Sequence, residues 1–236
     1  MKNGMTLNSN QTNSTMTFKD LTFYSINDSR MDGSADLFQS YGLKRVGNPV
    51  DANILVFNGG SDIGTSIYGE KPIARSGPLR PSVRDYLEIE LYERFPQTFK
   101  IGICRGAQFL NCMNGGTLWQ DVDNHGRDHM MTDLRTGEKI LVTSTHHQMM
   151  RPNYKAGKII GVADEATRKV ANPDVWDARG GVHYPDDHKD TEIVWYPGTR
   201  SLCVQGHPEY VPHSRFARYF FELVSEFMQE THACVD

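Results

Sequence analysis

Phe99-Lys100-Ile101-Gly102-Ile103-Cys104-Arg105-Gly106-Ala107-Gln108-Phe109-Leu110-Asn111-Cys112-Met113 passes from a short apolar run straight into helical spacing, with Cys104 at the join. Phe99 to Ile103 predicts a strand. Gly106 to Met113 predicts a helix closed by Gly115-Gly116, since glycine readily takes the left-handed backbone that ends a helix. A nucleophile on a sharp strand-to-helix turn needs small residues two positions away on both sides. Gly102 and Gly106 stand at those places. The turn also sets the thiol at a helix N-terminus, where unpaired amides and the helix dipole favour the thiolate. The competing reading of the string alone is a structural cysteine packed under a tight turn, which its place between a buried strand and a helix disfavours.

Working outward toward the N-terminus, Pro81 to Phe95 predicts a helix with Val83, Tyr86, Leu87, Ile89 or Glu90, and Leu91 on its repeat, stopped by Pro96. Before it, Ile54-Leu55-Val56-Phe57 is continuously apolar, as expected of a strand covered on both faces. Leu21 to Ile26 predicts a first strand, and Ala35 to Tyr41 a helix ending at Gly42. Toward the C-terminus, Thr132 to Thr143 suggests a hairpin turning at Thr136-Gly137, and Lys158 to Val162 a strand. Pro173 to Asp190 has no periodicity and suggests a long loop. Strands are expected at Thr191–Trp195 and Leu202–Gln205. A last helix, from about Ser214 to Met228, has Phe216, Tyr219, Phe220, Leu223, Val224 and Phe227 on one face. Strands alternating with helices point to an α/β layered sheet.

The 236 residues suit one domain of full size. Residues 1–17, mostly Asn, Ser, Thr and Gln, read as a flexible polar tail, and 18–236 as the domain. A net charge of −4 argues against a dedicated nucleic-acid binder. No run approaches the ~20 apolar residues of a spanning helix, and the polar N-terminal stretch lacks the apolar core of a secretory signal. Four cysteines without a CxxC pair do not make a disulfide framework. A cytoplasmic enzyme or binding domain is the expectation.

A second string, Gln205-Gly206-His207-Pro208-Glu209, also follows a predicted strand. Proline biases His207 toward extended backbone, where residues i and i+2 face one side, so the Glu209 carboxylate should reach the imidazole. A carboxylate behind an imidazole fixes its tautomer and stabilises the imidazolium formed during catalysis. Cys104, His207 and Glu209 are therefore the candidate catalytic residues.

Together these strings resemble the class I glutamine amidotransferases, and in particular the peptidase C26 branch containing γ-glutamyl-γ-aminobutyrate hydrolases, where Ile-Cys-Arg-Gly-x-Gln is typical. Two further segments are similar to that family: Asn58-Gly59-Gly60-Ser61-Asp62 with Tyr68-Gly69-Glu70, and Ser144-Thr145-His146-His147-Gln148. The resemblance implies a flavodoxin-like three-layer sandwich with a mostly parallel central sheet. It implies an oxyanion hole from the Gly60 and Arg105 backbone amides, and substrate contacts from Gly59, Ser61, Gln108, His146 and His147. The implied reaction is hydrolysis of the γ-amide of glutamine or a γ-glutamyl-amine through a γ-glutamyl thioester. Alternatives are a glutaminase subunit passing ammonia to a synthetase partner, and a catalytically silent interaction module on the same fold. Many relatives carry an aromatic residue where this chain has Gly206, which implies a pocket reshaped on the leaving-group side.

No metal or organic cofactor is expected. His125 and His129 are spaced to ligate zinc if helical, but Gly126 weakens that helix and no third ligand is local. Asp186-Asp187-His188 reads as a solvated loop, and Cys112, Cys203 and Cys234 as core or surface thiols. The oligomeric state is not legible.

Overall fold

Ile54-Leu55-Val56-Phe57 sends its side chains alternately to two separate cores: Ile54 and Val56 to one, Leu55 and Phe57 to the other. A strand apolar at every position is thus explained by cover on both faces. In the computed structural model, which describes residues 18–26, 33–171 and 190–233, this segment lies within a nine-stranded sheet. The expected polar tail, most of the 173–190 loop, the Asp186-Asp187-His188 cluster and Cys234 lie outside the described residues.

In chain order the first elements are β1 (Thr22–Ser25), α1 (Gly33–Ser40), β2 (Lys44–Arg45), β3 (Ile54–Phe57) and α2 (Val83–Arg94). Then come β4 (Phe99–Ile103), α3 (Arg105–Met113), β5 (Thr117–Trp119), β6 (Asp121–Val122), β7 (His129–Asp133) and β8 (Lys139–Val142). The last are β9 (Met149–Arg151), β10 (Lys158–Ala163), β11 (Lys169–Val170), β12 (Thr191–Tyr196), β13 (Ser201–Val204) and α4 (Arg215–Ala233). The sheet order is β2-β1-β3-β4-β13-β12-β10-β7-β8. From β2 to β13 every neighbour is parallel; from β13 onward the pairs are antiparallel. The fold is α/β with a three-layer arrangement: α1 and α4 supply the core on one face, α2 and α3 on the other.

The expected helix ends are in place. Gly42, at φ +95°, ends α1, and its neighbour Leu43 donates back to the Phe38 carbonyl. Ser82 caps α2 through a box shared with Asp85. The apolar face assigned to α2 from its spacing is only partly the buried one: Leu91 is buried and Ile89 packs against the core, but the apolar residues of the first turn are not buried. Val83 is 78% exposed and Tyr86 and Leu87 are also exposed, whereas Asp85, Glu88 and Leu91 are buried. The physical reason is a buried arginine beneath the helix, described below.

Candidate active site

At the end of β4 the chain turns so sharply that Cys104 adopts φ +51°, ψ −111°, a backbone state that disfavours a residue with a side chain. The flanking glycines make the turn sterically feasible. A Cβ on Gly106 would lie 1.9 Å from the Phe57 carbonyl oxygen, and one on Gly102 would lie 2.5 Å from that of Gly106. Cys104 forms the N-cap position of α3 and is 8% exposed.

From the neighbouring parallel strand β13 the chain delivers His207, which is buried. Its Nδ1 donates to Glu209 Oε1 at 2.7 Å. The reach is achieved through the one-turn 3₁₀ segment Pro208–Tyr210 rather than by strand alternation. Burial pushes the His207 imidazole down, but hydrogen bonds and charge from Cys104 and Glu209 outweigh it, and its pKa is pushed up to about 10. His207 and Cys104 line one cavity of about 230 Å³ together with Gly60, Gln108, His146 and His147. The thiol and the ring therefore share a space large enough for a small amide-bearing group.

Gly60 takes φ +147°, and a Cβ there would strike Arg84 Nη1 at 2.5 Å. Arg84 donates to the carbonyls of Gly59 (3.0 Å) and Asn58 (2.7 Å), fixing the loop from the rear. Gly59 does not line the cavity; it packs behind His207, with its Cβ position 3.1 Å from His207 Cε1. Ser61 is exposed and is not among the residues that line the cavity. Gln108 lines the cavity but is already committed, its amide donating to the Gln148 carbonyl at 2.9 Å. His146 lines it too, with Nδ1 donating to the same carbonyl at 2.8 Å. Burial, with His125 alongside, drives His146 well below the ordinary imidazole range. His147 is partly exposed and paired with Asp62 at 3.2 Å, which raises its pKa.

Gly206 does not widen the pocket as its sequence context implies. A side chain there would meet Phe216 and the Thr143 carbonyl at 3.0 Å, in the core rather than the cavity. The aromatic wall comes instead from Tyr210, whose ring stacks on His207 at 4.2 Å between centroids and 5° between planes. Thr145 Oγ1, 3.2 Å from His207 Nε2 and 3.3 Å from the Tyr210 hydroxyl, completes that side. Tyr210 lies just past the His207-Pro208-Glu209 string, and Thr145 lies within the 144–148 string, but nothing in the sequence singles out either.

The residues most thoroughly missed lie behind the turn. The Arg105 side chain, 2% exposed, hydrogen-bonds Glu88 through Nη1 and Asp85 through Nη2. Glu88 also accepts from Arg84 Nε at 2.9 Å, and Asp85 Oδ2 accepts from the Gly64 amide at 3.3 Å. One helical turn of α2 thus holds both the Gly59-Gly60 loop and the residue after Cys104. The only signal in the sequence was a pair of acids three apart on a helix with scattered apolar residues. His125 and His129 do not sit on a helix; they lie at the entry to β7 with their rings edge-on at 4.6 Å.

Comparison with known proteins places this geometry in a family. The peptidase C26 family model matches residues 45–168, just over half of the chain. A glutamine amidotransferase-like protein (YvdE homolog) of Lactococcus lactis subsp. cremoris is 37% identical over 100 residues, 37% of this chain and 53% of that protein. The carbamoyl phosphate synthase small chain of Polynucleobacter asymbioticus is 29% identical over 157 residues, 65% of this chain and 34% of that one. The chain thus spans about half the length of the first relative and a third of the second. In fold, it matches a glutamine amidotransferase from Thermotoga maritima with a TM-score of 0.54 at 10% identity, covering 89% and 97% of the two chains. PurLQS from Thermotoga maritima matches with a TM-score of 0.54 at 12% identity, covering 91% and 98%. Among the described residues no helix is long and apolar enough to cross a membrane. The chain belongs to the peptidase C26 family and has a glutamine amidotransferase-type fold.

Proposed function

We propose that the chain is a cysteine-dependent hydrolase of γ-glutamyl amides, with glutamine or a γ-glutamyl-amine as substrate. The observation that carries this is Cys104 on a strained strand-to-helix turn, sharing a cavity with a histidine hydrogen-bonded to Glu209. Cys104 sulfur attacks the γ-carbonyl carbon as a thiolate, and His207 carries the proton. The tetrahedral oxyanion is stabilised by the Gly60 and Arg105 backbone amides. Collapse breaks the C–N bond as His207 gives its proton to the departing nitrogen, leaving a γ-glutamyl thioester. Water, losing a proton to the same imidazole, then cleaves the thioester to glutamate and restores the thiol. Glu209 acts through His207 by holding its tautomer and charge. Gln108, His146 and His147 are assigned to the glutamyl side of the cavity, and Tyr210 to the side where the amine leaves.

A second reading is a glutaminase subunit that passes ammonia to a separate synthetase. Relatives named as the small chain of carbamoyl phosphate synthase, and the fold match to PurLQS, favour it. Both readings share the chemistry at Cys104 and differ in the fate of the nitrogen.

The test is a panel of glutamine and γ-glutamyl-amines assayed for glutamate release, with Cys104→Ala as control. Turnover should fall by at least about a thousandfold in the variant, with the circular dichroism spectrum unchanged. A glutamine-analogue inhibitor should add its mass at Cys104. Equal turnover in parent and variant would remove the mechanism. Activity on glutamine alone, rising when a synthetase is added, would select the second reading.

A further inference from the structure

Adjoining the Cys104 cavity through His146 is a group of side chains of which the proposed reaction uses only that histidine. His125, His146 and Glu192 are each buried, and one donor atom from each lies within 4.8 Å of the other two. Their hydrogen bonds decide which atoms remain available. Asp190, held by Lys169 and by Thr167 Oγ1 at 2.7 Å, accepts from His125 Nε2 at 2.8 Å, so in the neutral imidazole Nδ1 carries the lone pair, and it lies 3.4 Å from Glu192 Oε1. A carbonyl only accepts, so the 2.8 Å contact to Gln148 oxygen puts the His146 proton on Nδ1 and the lone pair on Nε2. His129 Nε2 donates to Glu192 Oε1 at 3.0 Å, leaving Oε2. His125 Nδ1, His146 Nε2 and Glu192 Oε2 are all buried atoms without a hydrogen-bond partner.

Unmade hydrogen bonds at buried atoms of three neighbouring side chains are unfavourable. With both imidazoles neutral, three lone pairs with no proton to share cannot satisfy one another. A cation can satisfy all three. We propose that His125, His146 and Glu192 form a binding site for a divalent transition-metal ion of the zinc class.

The donor set of two neutral imidazoles and a carboxylate suits zinc. Each imidazole also has the outer-shell partner that metal-bound histidines use, a carboxylate for His125 and a backbone carbonyl for His146. Tetrahedral ligands at about 2.0–2.1 Å from an ion stand about 3.3–3.4 Å apart, so binding draws the widest pair together by no more than about 1.4 Å. A cavity of about 390 Å³ lined by His125 and His129 gives an entry path separate from the Cys104 cavity. The sequence hides the site because its donors come from three segments: the β6–β7 connection, the 144–148 loop and β12. An ion there ties the wall of the Cys104 cavity to the central sheet. The proposal does not depend on the hydrolase reading.

The test uses the full chain carrying Cys104→Ala, which removes the thiol that would compete for metal, after stripping with a chelator. Titration with Co²⁺ should give about one equivalent bound, with visible d–d bands and no near-ultraviolet thiolate-to-cobalt band. Zn²⁺ should displace it and raise the melting temperature. Asp190→Asn should weaken binding about ten- to hundredfold. Glu192→Gln and His125→Gln should weaken it further. Absent uptake, a thiolate band, or affinity unchanged in both Glu192→Gln and His125→Gln would overturn the proposal. Should those variants fail to fold, the Zn²⁺-dependent melting shift decides: no shift in the parent chain also overturns it.

Discussion

Helices α2 and α4 cover opposite faces of one sheet and bury opposite chemistry. α4 turns Phe216, Tyr219, Phe220, Leu223, Val224 and Phe227 inward, each of them nearly inaccessible, and holds the sheet by apolar area. α2 turns Asp85 and Glu88 inward and leaves Val83, Tyr86 and Leu87 in solvent. Apolar burial is strong but non-directional, contributing about 1.5–3 kcal/mol per large side chain without fixing any atom to a fraction of an ångström. Paired, hydrogen-bonded charges contribute less net stability and much more geometry. α4 therefore secures the fold, and α2 secures the turn at Cys104 and the Gly59-Gly60 loop.

The strongest way to break this contrast is to remove the anchor of each helix: Phe220 within α4, and Arg105 of α3, to which Asp85 and Glu88 of α2 are bonded. Phe220→Ala should lose about 3–5 kcal/mol in urea unfolding through cavity creation. Arg105→Met should lose a similar amount, about 3–5 kcal/mol, because Asp85 and Glu88 would be left buried without their partner. The two should differ in turnover. Folded Phe220→Ala should keep the parent kcat on the best amide substrate, whereas Arg105→Met should lower kcat with KM little changed, since the backbone amide remains but its support does not. If Phe220→Ala lowered kcat equally, α2 would have no special claim on the site.

Glu209→Gln comes next in size. The glutamine keeps the shape but gives up the charge that helps hold the proton on His207. We expect kcat/KM to fall about ten- to hundredfold, or about 1.4–2.7 kcal/mol in transition-state energy, short of the loss in Cys104→Ala. The His207 titration followed by NMR should move down in the same variant. An unshifted titration alongside full activity would deny Glu209 any orienting role.

The His207 shift also carries a signed effect on stability. Its folded pKa, about 10, lies above the ordinary imidazole value of 6.5. The folded state thus binds the proton more tightly than the unfolded chain. The resulting stabilisation is fully present below pH 6.5 and lost as pH rises through 10. Melting temperatures of the parent and of His207→Gln, compared across that window, should converge toward its alkaline end. A constant difference would mean that His207 is not protonated in the folded state at neutral pH.

What the sequence disclosed and what it withheld divide along the same line as the two helices. The strand-to-helix turn was legible because Gly102 answers a steric demand within the turn itself, against the Gly106 carbonyl, whereas the demand on Gly106 comes from Phe57 of β3 and no local rule shows that contact. Gly42 was legible on local grounds too, and so was α4, whose periodicity is set by one apolar face. The Asp85–Arg105–Glu88 set was not legible, because its members are joined across α2 and α3 and no local rule links them. The parts of Tyr210 and Thr145 were hidden likewise, because Tyr210 reaches His207 through the 3₁₀ turn at Pro208–Tyr210 and Thr145 reaches it from a separate loop. The strands β2, β5, β6, β9 and β11 are two or three residues long and too short to show a period. Ser61 was assigned to the site by its place in a glycine-rich string, yet the loop turns its side chain outward.

The smallest expected effect is the sharpest check on the reading of α2. Val83 and Leu87 are one turn apart on its exposed face, and both look like core residues in the sequence. Replacing an exposed side chain removes little contact area, so Val83→Ser and Leu87→Ser should each change unfolding free energy by no more than about 0.5 kcal/mol. Serine has a helix propensity close to that of valine and lies only a few tenths of a kcal/mol below leucine, so backbone preference should not mask the result. A loss above about 1.5 kcal/mol in either variant, independent of protein concentration, would mean that the helix is rotated from the position described, with its apolar face inward. The ion pairs to Arg105 would then have to break, because Asp85 and Glu88 cannot face the sheet at the same time as Val83 and Leu87.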